Sequence, residues 1–223
     1  MMRFGSQVVL LCQIAVAPAY LAGQRHVSRL DGRVPPALAA AVGVLVDSAA
    51  ARRLPSDPLI DKAIEGVAKG VVPERVLTAV HMVLDQLDTA AAAIRAGDIR
   101  TPDSEAIEAG AFALAAGVSG REIARLVKGG TTSGSPAATL RVAGTLAALG
   151  VPAAQAVDLI LGTIRHGGSA ADVLSLPARV QSQVTHGETP SQAAAGIARS
   201  NGARGSPPGG PKPGRGQGNP HKP

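Results

Sequence analysis

Five histidines, His26, His81, His166, His186 and His221, are the side chains best suited to proton transfer or metal binding at neutral pH. A helical metal site needs further ligands three or four residues away, so that all face one side. Only His81 has such a neighbour, Asp85, and one imidazole beside one carboxylate reads as a surface contact. His166 follows an apolar helical stretch and precedes Gly167-Gly168, which suits a cation closing a helix C-terminus. Cys12 is the only cysteine, so no disulfide or Cys-based metal site is expected in the rest of the chain. "GGTTSGS" (Gly129–Ser135) resembles a phosphate loop only in its glycines. Its last Gly is followed by Ser135-Pro136 and not by Lys and Ser or Thr, so it reads as a connector. No Gly-x-Ser-x-Gly elbow occurs, the carboxylates are scattered along polar faces, and few aromatics are present to hold a sugar. The chain is therefore expected to be no enzyme and to need no cofactor or metal.

The elements that would position any such group are helices. Val72, Val76, Val80, Val83, Leu84 and Leu87 fall on one helical face, and Ile60, Ile64 and Val67 on another, with Gly70 between them. Gly past one helix end and Pro73 at the start of the next make "GVVP" a corner between two antiparallel helices. Similar corners stand at Gly32–Pro35, Gly117–Ser119, Gly150–Pro152 and His186–Pro190. Ser119 with Glu122 and Thr189 with Gln192 are spaced as capping boxes. Ser169 with Asp172 marks another helix start, and Pro177 should kink or break the helix that follows. Asp57-Pro58, Thr101-Pro102 and Ser135-Pro136 each place a capping side chain before a proline. The spacing predicts an all-α fold of irregular antiparallel helical hairpins, as a short array or a compact orthogonal bundle.

The charge balance excludes a basic binding face on this body. Of 22 basic residues, Arg3, Arg204, Lys212, Arg215 and Lys222 lie outside residues 25–199, while all 16 acidic residues lie inside, leaving that segment at +1. The high pI belongs to the two ends. With Phe112 the only aromatic beyond Tyr20, the core must be built from Leu, Val, Ile and Ala in thin, closely spaced layers.

The first 24 residues carry Arg3, the apolar run Val8–Ala17 and then small residues, with Ala17-Pro18-Ala19 and Leu21-Ala22-Gly23 as cleavage sites. They read as an export signal peptide. A buried N-terminal helix and an uncleaved membrane anchor are the competing readings. Residues 200–223 are rich in Gly and Pro and read as a disordered basic tail. Its Arg204, Lys212, Arg215 and Lys222 are candidate contacts for an anionic polymer, lipid or nucleic acid. Nucleic acid is the weakest of these, since no aromatics are present to stack on bases.

"LVDSAAARRLPSDPLIDKAIEGVAKGVVPERVLTAV" (Leu45–Val80) resembles a segment of uncharacterised, exported, alanine-rich helical bacterial proteins. That resemblance implies export and an all-helical build, and no activity. The sequence therefore predicts a signal peptide (1–24), an all-α hairpin domain (25–199) and a tail (200–223). The expected product is an exported, non-catalytic protein, periplasmic or secreted, that binds a protein partner in the envelope. The alternative is a structural spacer whose basic tail makes the contact.

Overall fold

The computed structural model describes residues 29–130 and 135–204. Among these, helices follow one another without a strand: α1 (Pro36–Ala51), α2 (Asp57–Ala68), α3 (Pro73–Ala96), α4 (Ser104–Ala115), α5 (Gly120–Gly130), α6 (Pro136–Ala148), α7 (Ala153–Arg165), α8 (Ala170–Thr185) and α9 (Pro190–Arg204). The chain is all-α, as its periodicity predicts.

The Gly-Val corners have a common mechanism. Gly70, Gly117 and Gly150 take φ values of 69°, 96° and 91°, the left-handed region that side chains resist. At each, the next residue's N–H turns back to a carbonyl five residues earlier: Val71 to Gly66, Val118 to Ala113 and Val151 to Leu146. This closure satisfies carbonyls that the helix end would otherwise leave open. It also swings the valine inward, and Val118 and Val151 are buried. Burying a valine contributes roughly 1.5–3 kcal/mol, so the corner stabilises as well as stops the helix. The same closure follows α1 and α3, with Arg53 and Asp98 at positive φ in place of glycine.

Helix packing distinguishes array from bundle. Among the described residues, every substantial contact joins a helix to its next or next-but-one neighbour. Alternate helices run parallel. Arg125 of α5 pairs with Asp158 of α7, and further along the same two helices Gly129 lies against Leu161. Gln155 of α7 bonds Ser191 of α9 at 2.8 Å, and beyond it Thr163 meets Asn201 at 3.0 Å. Odd helices thus form one row, and α4, α6 and α8 of the even helices pack together as a second beside it. Nearest-neighbour packing of this kind defines a stacked hairpin array. The polar rungs repeat its period: Arg52–Asp88 and Gln155–Ser191 are each 36 residues apart, and Arg125–Asp158 33.

Small side chains let the rows approach. A Cβ built on Gly144 of α6 would stand 2.7 Å from the Phe112 ring and 3.0 Å from the Ala113 Cα of α4. One on Gly110 would meet Ala90 of α3 at 3.0 Å. The core between the rows is aliphatic throughout, from Leu38 and Val42 of α1 to Ala193 and Ile197 of α9.

Several local expectations are corrected. Asp57 is the first residue of α2 and caps nothing, Ser135 precedes α6 without a side-chain cap, and Asp103, not Thr101, caps α4 by accepting from the Ala106 N–H at 2.7 Å. A proline at the first position supplies no N–H, and the local turn decides which oxygen reaches the next free donor. Pro177 does not break α8, which continues from Ala170 to Thr185. Leu176 and Val180 on either side are buried, and their packing outweighs the lost hydrogen bond. Val72 precedes α3 and is exposed instead of joining its apolar face. The array also runs past residue 199, because α9 continues to Arg204.

Candidate functional site

The exposed face of the even row gathers the most varied side chains. Glu105, Glu108 and Phe112 are three and four residues apart on α4 and share one stripe. Phe112 is the only aromatic among the described residues, yet it is 46 % exposed. Its ring rests on α6 over Gly144, where the missing side chain leaves it room. Arg141 of α6 stands 3.9 Å from Glu105. On α2, Asp57 and Asp61 both pair with Arg29, the second at 2.7 Å.

Electrostatics tie these groups together. Partial burial pushes the Glu108 carboxyl above its ordinary value; Arg141 pulls the other way, and Asp57, Glu105 and Asp61 push it up further. The face is therefore acidic across α2 and α4, bordered by two arginines, with one anchored aromatic. The sequence shows Phe112 as a scarcity of core aromatics, not as a surface residue. The signal that could have placed it is its register with Glu105 and Glu108.

A second feature is a polar recess of about 170 Å³ lined by Thr163, His166, Gly167, Gly168, Asp172 and Asn201. It forms where the ends of α7 and α9 meet the start of α8. Thr163 is 3 % exposed and engaged on both sides, donating to the Leu159 carbonyl at 2.8 Å and accepting from Asn201 Nδ2 at 3.0 Å. Asn201 Oδ1 in turn accepts from Arg179 at 3.4 Å. Asp172 accepts from the Ser169 N–H and O–H in a capping box. His166 closes α7 with Nδ1 donating to the Gly162 carbonyl at 2.6 Å, the C-terminal role its sequence position suggests. His186 closes α8 the same way on Ser182. The Thr163 hydroxyl thus links two helix ends, donating to a backbone carbonyl of α7 while accepting from the end of α9.

The remaining sequence candidates do not converge. His81 and Asp85 are exposed on α3. Among the described residues no three His, Cys, Asp or Glu side chains gather as a metal site, and no helix is long and apolar enough to cross a membrane. Arg204 closes α9. Lys212, Arg215 and Lys222, together with residues 1–24 expected to be an export signal, His26 and His221, lie outside the described residues, as does the centre of the Gly129–Ser135 connector. No family model, curated protein or solved structure matches this chain.

Proposed function

We propose that the protein is an exported, non-catalytic helical-hairpin array that binds a protein partner in the envelope through the α4–α6 face. The observation that carries this reading is Phe112, a lone aromatic held half out of the structure over Gly144. Large, half-exposed aromatics are favoured binding anchors, because a partner pocket can bury the remaining apolar area of the ring. The partner would offer an apolar pocket for the ring and basic side chains opposite Glu105, Glu108, Asp57 and Asp61. Those charges set orientation and encounter rate more than affinity. Export rests on the composition of residues 1–24 and on the likeness of Leu45–Val80 to exported alanine-rich proteins.

Capture from an envelope fraction, followed by titration of the purified partner, tests the reading. Phe112→Ala should weaken binding about ten-fold or more with helicity unchanged. Equal affinity for both chains, or loss of capture only when residues 205–223 are removed, would replace this face with the tail.

A further inference from the structure

The chain has two asparagines, Asn201 and Asn219, which differ in the residue that follows. Asn219 precedes Pro220, whose nitrogen carries no proton, whereas Asn201 precedes Gly202. Glycine has no Cβ to shield its amide nitrogen, so in an open chain that nitrogen can swing onto the preceding side-chain amide. Attack of the Gly202 nitrogen on Asn201 Cγ forms an N–Cγ bond and breaks the Cγ–Nδ2 bond. Ammonia leaves with the proton that the nitrogen gives up, and a five-membered succinimide remains. Water then opens the ring at either carbonyl, giving aspartate or isoaspartate. Water is consumed and ammonia released, with no oxidant or cofactor. Asparagine counts among the thermolabile residues.

The fold keeps the two reacting groups apart. Gly202 lies inside α9, where helical backbone directs its N–H along the axis toward the preceding turn. The Asn201 side chain is held from two sides: Nδ2 donates to Thr163 Oγ1 of α7 at 3.0 Å, and Oδ1 accepts from Arg179 of α8 at 3.4 Å. Thr163 is a fixed anchor, being buried and tied to the Leu159 carbonyl of its own helix at 2.8 Å. Bulk does not guard the site. Among the described residues outside its own helix, a Cβ built on Gly202 would meet only His166 Nε2, at 3.9 Å. Protection therefore rests on helical geometry and on two hydrogen bonds, and all are lost together when the last turn of α9 opens. Helix ends are among the parts of a fold that open most readily, and a glycine weakens this turn further.

We propose that Asn201-Gly202 is a self-modification site whose deamidation is gated by the hydrogen bonds joining α9 to α7 and α8. While those bonds are made, the side-chain amide is out of reach; each opening of the final turn exposes it to the Gly202 nitrogen. The conversion runs one way. Either product removes the amide donor that faces Thr163, whose own proton is committed to Leu159. Isoaspartate also adds a methylene to the main chain, which takes the residue out of helical register. Neither product restores the original pair of bonds, so the position records how often the end of the array has opened.

Trypsin cuts after Arg199 and Arg204, so the site comes free as the peptide Ser200–Arg204. The full chain and the same peptide made synthetically are held side by side in mildly alkaline buffer, sampled over time and digested. Conversion is read as the mass gained when the amide becomes a carboxyl, and isoaspartate by its separate elution. The free peptide should convert about ten-fold or more faster than the same residues in the full chain, the factor set by opening two hydrogen bonds. Thr163→Val keeps the shape of the anchor and removes its oxygen, so conversion in the full chain should rise about five-fold with helicity retained. Arg179→Met removes the other hold from outside the core and should raise the rate about two-fold, which keeps the test valid if Thr163→Val fails to fold. Equal rates in peptide and native chain, no conversion in any full chain once the peptide is spent, or folded variants that convert at the native rate would overturn the proposal. No partner enters these measurements, so their outcome is independent of the binding reading.

Discussion

Gly43, Gly144 and Gly162 each sit inside a helix, and replacing each by alanine separates packing from propensity. Alanine in a helix interior is favoured over glycine by about 1 kcal/mol. A Cβ on Gly43 or Gly162 meets nothing within 4 Å, so both variants should gain roughly 0.5–1 kcal/mol. At Gly144 the same atom would stand 2.7 Å from two carbons of the Phe112 ring and 3.0 Å from the Ala113 Cα. The half-exposed ring can swing aside. The backbone of α4 cannot, so α4 and α6 must part by a few tenths of an ångström. Overpacking of this kind costs about 1–3 kcal/mol, which offsets the propensity gain and leaves Gly144→Ala from neutral to about 2 kcal/mol less stable.

Urea unfolding of the full chain reads the difference. With a slope of about 2 kcal/mol per molar, the Gly144 variant should unfold roughly 0.5–1.5 M earlier than the other two. Adding Phe112→Ala to Gly144→Ala relieves the ring contact and leaves the backbone one, so it should not raise that midpoint to the level of Phe112→Ala alone. If Gly144→Ala is as stable as Gly43→Ala and Gly162→Ala, the close approach of α4 to α6 is wrong, and with it the seat proposed for Phe112.

Two further outcomes follow from the same geometry. Glu108 has a raised folded-state pKa, so its contribution is fully present below the unfolded carboxyl value and is lost as pH rises through the folded one; Glu108→Gln should therefore be more stable than the native chain at pH 7, with the gap closing towards pH 4, and a gap that widens on acidification would contradict the sign. A chain ending at Arg204 should keep its urea midpoint, whereas one ending at Arg199 loses the Asn201–Thr163 bond and should unfold earlier, with Asn201→Ala alone costing about 1 kcal/mol; equal midpoints for the two truncations would show that the last turn of α9 carries no stability.

The parts of the fold legible in the sequence are those fixed within a few residues. The Gly70, Gly117 and Gly150 corners and the capping boxes at Ser119 and Thr189 are closed by backbone and side-chain bonds among neighbours, so spacing alone locates them. The proline-linked caps were less legible, because Asp103 and Thr101 differ by two residues and both are capping types. Pro177 misled for a different reason. Its local cost is real, but Leu176 and Val180 belong to a core set by α6 and α9, which no local rule can see. The candidate face lies further from reach still, since Glu108 is perturbed by α2 and α6 together and the Phe112 ring is placed by a glycine on another helix.

The same scarcity of bulky residues that makes the core thin also moves the aromatic ring of Phe112 outward. Rows held apart only by Ala, Gly and short aliphatic side chains approach until backbone meets side chain, as Gly144 meets Ala113 and Gly110 meets Ala90. A large ring cannot enter such a layer without separating the helices, so Phe112 is accommodated at its edge, over the one α6 position that has no side chain. Close packing of the rows and exposure of the aromatic are then a single consequence of composition. A substitution that fills Gly144 should disturb both at once, lowering stability and displacing the group proposed to anchor the partner. Loss of stability with undiminished partner affinity would separate the two and move the binding surface off this face.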